Sequence, residues 1–181
     1  MSKLTASNLI AECSCGKVKI EAIGTPILHC VCYCNDCQIG GTQLEALPNA
    51  PRTLNTDGGT SYLLYRKDRV NIDSAEQNLR PYKIKDSSTT SRVVATCCNT
   101  PMYLNFKNGH WVTMYRNRFK DEVPPLEMRT CTKSKRKDVV LANDVPNFEG
   151  HSFKFLAKLI AAWIPMLINR CRGIVPNRPL Y

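Results

Sequence analysis

The chain has 181 residues, of which 43% are apolar and ten are cysteine, with a formal charge of +10. That size and apolar content suit one ordinary domain with its own core and exclude a scaffold that depends on disulfides for stability. The charge is uneven, with 11 basic and 9 acidic side chains over residues 1–106 but 14 and 6 over residues 107–181, so the excess belongs to the C-terminal part.

Met1 to Glu12 contain one lysine and no apolar run of the seven or so residues that a signal peptide requires, so a reducing, cytoplasmic setting is expected. Residues 17–23, Lys-Val-Lys-Ile-Glu-Ala-Ile, alternate polar and apolar as a half-buried strand does. Cys13-Ser14-Cys15-Gly16 stands directly before them as a turn. Gly24-Thr25-Pro26 breaks the strand, and Pro26 to Val31 is expected as its hairpin partner. That partner leads into Cys30, Cys32, Cys34 and Cys37, four cysteines within eight residues.

Residues 38–59 look irregular, with Gly40-Gly41, Pro48, Pro51 and Asp57-Gly58-Gly59 marking turns. Thr60 to Tyr65 and Arg69 to Ile72 read as a hairpin turning at Lys67-Asp68. Tyr82 to Ile84 and Ser91 to Thr96 suggest a further pair of strands. Met102 to Phe106 and Trp111 to Tyr115 flank a turn at Asn108-Gly109. Nothing before residue 150 has the period of a long helix, and residues 121–150, with the basic run Lys133 to Lys137, read as a linker. Phe153, Leu156, Ile160, Trp163, Ile164 and Leu167 then recur at helical spacing, with Ser152 as N-cap and Gly173 as stop. Two lysines and Pro165 interrupt this stretch, which is too short for a bilayer span of about 20 apolar residues. It suits an amphipathic helix docked on the core, on a membrane surface or on a partner. The expected organisation is a zinc-binding β domain over residues 1–120, then a basic linker and C-terminal helix over residues 121–181.

Cys13 with Cys15, Cys32 with Cys34, and adjacent Cys97 and Cys98 would each close a strained ring as disulfides, so metal ligation is the better reading. Cys32, Cys34 and Cys37 can supply three thiolates from one loop. Three protein ligands leave a fourth position open, as in a catalytic zinc site. Cys13 and Cys15 need partners from elsewhere, and Cys97 and Cys98 lie in a second turn with suitable chemistry. Cys131 and Cys171 stand alone and read as ordinary thiols. His29 reads as a strand histidine satisfied locally, while His110 and His151 read as solvated.

Three segments, Cys13-Ser14-Cys15-Gly16-Lys17-Val18, Cys32-Tyr33-Cys34-Asn35-Asp36-Cys37-Gln38 and Cys98-Asn99-Thr100-Pro101, resemble in order the motifs of the glutathione-dependent formaldehyde-activating enzyme and centromere protein V family. The resemblance covers residues 10–120 and implies a mainly β, Mss4-like zinc-binding fold, here followed by the C-terminal helix. It implies that the first Cys-X-Cys joins a later cysteine pair at a structural zinc, while the middle motif binds a second zinc near which glutathione adducts react. The implied activity is carbon–sulfur lyase chemistry on a small thiol substrate such as S-hydroxymethylglutathione. Ala95 stands where the first cysteine of the later pair belongs. Cys97 replaces it only if the chain twists locally, because neighbouring side chains of a strand face opposite ways. Gln38 takes the place of the usual basic residue. The competing expectation is a non-catalytic zinc module whose basic C-terminal part binds an acidic partner, either nucleic acid or an anionic membrane.

Overall fold

The structure, a computed structural model, describes residues 8–72 and 75–171. Strands β1 (Leu9–Glu12) and β2 (Lys19–Ala22) pair antiparallel, and their alternation turns Leu9, Ala11, Ile20 and Ala22 inward. Strand β3 (Leu28–Cys32) is buried at every residue and runs directly into helix α1 (Asn35–Glu45). Then follow β4 (Thr60–Arg66), β5 (Val70–Asn71), β6 (Leu79–Tyr82), β7 (Thr90–Ala95), β8 (Thr100–Phe106), β9 (Trp111–Tyr115), β10 (Met128–Thr130) and helix α2 (Phe153–Cys171). The fold is mainly β, as the sequence led us to expect, with the helix at its C-terminal end.

The strands form two sheets, one of three strands in the order β1-β2-β5 and one of seven in the order β10-β3-β4-β9-β8-β7-β6. All named pairs are antiparallel except β10 on β3. The larger sheet is covered on both faces, which is why β4 reads as an almost continuous apolar run. Leu63 and Tyr65 of β4 pack with Ile20, Met114 and Phe119 beneath the small sheet. Tyr62 and Leu64 face the other way, toward Leu44 of α1, Met128 of β10, and Phe155 and Leu159 of α2. A bulge between Val93 and Val94 of β7 leaves Met102 as an extra residue on β8 beside Pro101, a position that tolerates a missing backbone donor.

Several sequence expectations fail for identifiable reasons. Pro26 to Val31 is not the hairpin partner of β2, since β3 pairs with β4 and β10, and β2 pairs with β1 and β5. Nor do Thr60 to Tyr65 and Arg69 to Ile72 form a hairpin, because the chain crosses between sheets after Lys67–Arg69. Gly40 and Gly41 do not mark a turn. They lie inside α1, where a Cβ on Gly40 would sit 2.2 Å from Arg92 Nε and one on Gly41 2.5 Å from Leu54. Both are glycines because the helix lies hard against its neighbours.

The segment read as a linker is folded onto the core. β10 extends the large sheet with Met128, Arg129 and Thr130 opposite Cys30, Val31 and Cys32. Within the basic run, Lys135 Nζ donates to Val139 O at 2.6 Å and Arg136 Nη2 to Thr56 O at 3.2 Å. Helix α2 starts where expected, with Phe155 N donating to Ser152 Oγ at 3.1 Å, while the stop expected at Gly173 lies outside the described residues. Its docking face differs from the sequence reading. Phe155 and Leu159, four apart, are the buried pair, whereas Phe153, Leu156, Ile160, Trp163, Ile164 and Leu167 are exposed. Lys158 pairs with Glu127, and His110 Nε2 lies 2.8 Å from Leu159 O with its ring stacked on Trp163. His110 is thus a docking residue for α2 and not a solvated one. No described helix is long and apolar enough to cross a membrane.

Candidate metal centres and cavity

The first cysteine group joins two turns far apart in sequence. Gly16, at φ 77°, lets the chain double back after Cys15, and Asn99, at φ 52°, does the same between β7 and β8. Ser14 N donates to Thr100 Oγ1 at 3.0 Å, and Thr100 Oγ1 donates to Ser14 Oγ at 2.9 Å, locking one turn to the other. The sulfurs of Cys13, Cys15, Cys97 and Cys98 all lie within 4.8 Å of one another. Measured pairs are 3.6 Å (13 to 15), 3.8 Å (13 to 97), 3.3 Å (15 to 97) and 3.7 Å (97 to 98). Four sulfurs placed about 2.3 Å from a tetrahedral zinc stand about 3.8 Å apart, so the spacing fits such an ion.

The local twist that Cys97 requires is present. β7 ends at Ala95, and Cys97 and Cys98 belong to the turn beyond it, so the opposite-face rule of a strand does not apply. The Cys98 thiol is held down to about 5. Burial works against this, and hydrogen bonds with Ser14 and Thr100 outweigh it. Burial pushes Cys97 the other way, aided by its bonds with Cys15 and Cys98. Crowded thiols divide in this fashion because like charges cannot share so small a space without a cation.

The second group lies where β3 passes into α1. Cys32 is the last residue of the strand, Cys34 is the helix N-cap, and Cys37 completes the first turn, with Cys37 N bonded to Cys34 O at 3.0 Å. Their three sulfurs also fall within 4.8 Å of one another. The N-terminal end of a helix favours thiolate, as a metal ligand must be. Tyr62, buried in the core, donates its hydroxyl to Cys37 Sγ at 3.5 Å. Hydrogen bonds with Cys32 and Cys34, together with burial, push the Cys37 thiol well up. Both groups could hold a metal ion.

Each group has a buried arginine at hand. Arg92 is 2% exposed and donates from Nη2 to Asp36 O at 2.5 Å, between the Cys34 and Cys37 backbones, while its Nε has no partner among the described residues. Arg118 is held down to about 10 by burial, opposed by Tyr115 and by the thiols of Cys98 and Cys13. A dication held by three or four thiolates is a net anion, and a buried guanidinium offsets that charge.

Beside the second group is a cavity of about 370 Å³. Cys32, Cys34 and Cys37 line one end. Leu64, Leu104, Phe106, Trp111, Phe155 and Leu159 form apolar walls, Arg92 contributes a cation, and His151 is also part of the lining. The cavity therefore depends on α2, which supplies part of its wall.

The sequence reading missed Cys131, which is not an ordinary isolated thiol. Its backbone is left-handed at φ 56°, its thiol shares a hydrogen bond with Cys32 that holds it below its usual pKa, and its Sγ lies 3.8 Å from His151 Nε2. No motif spacing marks it, because β10 brings it to the cluster by parallel pairing. His151 is exposed, as expected, and stacks on Phe155 at 4.8 Å. His29 is satisfied as expected, with Nδ1 2.7 Å from Pro124 O and Nε2 3.0 Å from Ser61 Oγ. Cys30 is a buried thiol pushed up by desolvation first and by the neighbouring charges of Cys32 and Glu127. Gln38 donates to Tyr33 O at 2.6 Å and to Ser134 O at 2.7 Å, so it ties the cysteine loop to the segment after Cys131. The nine described cysteines are free thiols.

Among curated proteins none matches this sequence. A solved structure of a Rhodobacter sphaeroides protein, a structural-genomics target, is similar at 14% identity and a TM-score of 0.46, covering 77% of this chain and 99% of its own. The sequence model of the family of unknown function DUF6151 matches residues 1–116, which hold both cysteine groups and Arg92 but neither Cys131 nor α2. The chain belongs to that family of unknown function.

Proposed function

We propose that this is a zinc protein with two unlike centres, the second of which performs carbon–sulfur lyase chemistry on a small thiol adduct. The observation that carries the reading is that Cys32, Cys34 and Cys37, three thiols among the described residues that could together hold a metal ion, line a cavity. Cys13, Cys15, Cys97 and Cys98 would hold a structural ion, with every position filled by this chain. Held by Cys32, Cys34 and Cys37, a zinc ion would supply Lewis acidity toward the sulfur or oxygen of a substrate.

The surrounding residues support such a reaction. The Tyr62 hydroxyl orients Cys37 by its hydrogen bond and is too deeply buried to ionise. Arg92 places a fixed positive charge beside the site. The apolar walls exclude water, strengthening both effects. In the reaction of an S-hydroxymethyl adduct the C–S bond breaks, sulfur keeps the electron pair, and the hydroxyl proton is released as the carbon becomes formaldehyde. Cys131 and His151 are near enough to the group to hold that proton.

Exchange NMR of formaldehyde with a series of thiols, glutathione and 2-phenylethanethiol among them, in the presence of zinc-loaded protein, tests the reaction. Faster exchange than in buffer for at least one thiol, lost in Cys34→Ser, is the expected result. No acceleration for any of them by a protein carrying zinc at both centres removes this activity.

One observation favours a second reading, a non-catalytic zinc module that binds an acidic partner or membrane. Leu156, Ile160, Trp163 and Ile164 form an exposed apolar stripe on α2, close in sequence to the basic segment. Salt-sensitive binding to anionic vesicles, lost on replacing Trp163 and Ile164 by serine, is its expected signature.

A further inference from the structure

The cavity walls constrain what can reach the second centre. Leu64 and Leu104 come from the large sheet, Phe106 and Trp111 flank the β8–β9 turn with ring centroids 5.4 Å apart, and Phe155 and Leu159 close the space from α2. The wall the cavity exposes is mainly apolar; its polar side chains are Arg92, Asp36, His151 and the hydroxyls of Tyr62, Ser88, Thr90, Thr113 and Thr130, of which Tyr62 donates to Cys37 Sγ and Ser88 to Thr90 O. At about 370 Å³ the cavity has the size of a small-ligand site and not of a bound water or two.

Glutathione carries two carboxylates, an ammonium group and two peptide groups. Against the apolar stretch between Phe106, Trp111 and α2 its charged and peptide groups would be buried without a partner, which is costly, and Arg92 is already engaged with Asp36 O. We propose that the ligand of this cavity is a thiol, free or as its hydroxymethyl adduct, whose carbon portion is uncharged and apolar, aromatic or branched aliphatic. Its sulfur joins Cys32, Cys34 and Cys37 at the metal while its hydrocarbon part fills the space between Phe106, Trp111 and α2. This rests on the reading of the second centre as an open metal site, and it narrows the substrate from a polar tripeptide to an apolar thiol.

Cobalt(II)-loaded protein gives the test, because a thiolate entering the open position adds sulfur-to-cobalt charge-transfer absorption. Titrations with 2-phenylethanethiol, 2-mercaptoethanol and glutathione are compared. The expected result is that 2-phenylethanethiol binds more than about ten-fold tighter than the other two, since it alone buries a ring. Phe106→Ala should weaken 2-phenylethanethiol and leave 2-mercaptoethanol unchanged, with the cobalt content and melting temperature as controls for folding. Glutathione binding as tightly as 2-phenylethanethiol would overturn the proposal, as would equal loss for every thiol in Phe106→Ala. If instead Cys34→Ser retains the same cobalt content and spectrum as the parent protein, the metal-site reading itself falls. Three-thiolate cobalt that accepts no added thiol leaves that centre standing and refutes the ligand.

Discussion

Arg92 and Gly40 form a unit in which a backbone without a side chain makes room for a buried guanidinium. Alanine at position 40 is ordinarily favourable in a helix by about 1 kcal/mol. Here its Cβ would overlap the Arg92 side chain, which is buried and tied to Asp36 O. Overpacking of this kind costs about 1–3 kcal/mol, so Gly40→Ala should lower the stability of the metal-loaded protein despite the better helix former. Urea denaturation of the two proteins at equal metal content measures it.

His29 gives a pH dependence with a definite sign. Burial holds its imidazole below the ordinary 6.5, although the Pro124 carbonyl pulls the other way. The unfolded chain then binds the proton more readily than the folded one, so stability falls as pH drops from about 6.5 toward the lowered value. Urea midpoints at pH 7.5 and pH 5.5 should therefore separate more for the parent chain than for His29→Gln, which keeps the hydrogen-bonding capacity and has no proton to gain.

Among the elements, α2 makes the clearest contrast between pattern and packing. Phe155→Ala and Leu159→Ala should each cost about 2–4 kcal/mol, and Ile160→Ala or Ile164→Ala less than about 0.5 kcal/mol. Melting curves of the four variants distinguish the docked face from the exposed one, and equal effects on both faces would refute the assignment. The β8–β9 hairpin, the helix N-cap at Ser152 and the strand after Cys15 were legible because each carries its own local signal, whether a turn dipeptide, a capping side chain or alternation. The pairing of β3 with β10 was not, since three residues in parallel register leave no periodicity, and Cys131 was overlooked with it. Helix α1 was hidden by Gly40 and Gly41, whose absent side chains serve packing and resemble turn signals only in sequence. The ligand groups were readable from cysteine spacing, but the cavity was not, because its walls come from separate strands and from a helix face that the apolar pattern misassigned.

For the molecule as a whole, the two cysteine groups differ in what holds them more than in what they contain. Cys13, Cys15, Cys97 and Cys98 belong to surface turns, with Cys15 and Cys97 exposed, whereas Cys32 and Cys37 are buried at the junction of an interior strand and a helix. Strand β3 lies between β10 and β4, so its backbone is bonded on both sides. Ligand number alone favours the four-cysteine site as the tighter. Yet a chelator must reach the ion before it can take it, and local opening at surface turns is easier than at a paired strand. Metal release to a chromogenic chelator should therefore run in two phases of about one ion each, the faster one abolished by Cys98→Ser and the slower by Cys34→Ser. The centre with fewer ligands would be the one that keeps its ion longer, a kinetic trap set by the sheet and not by the coordination number.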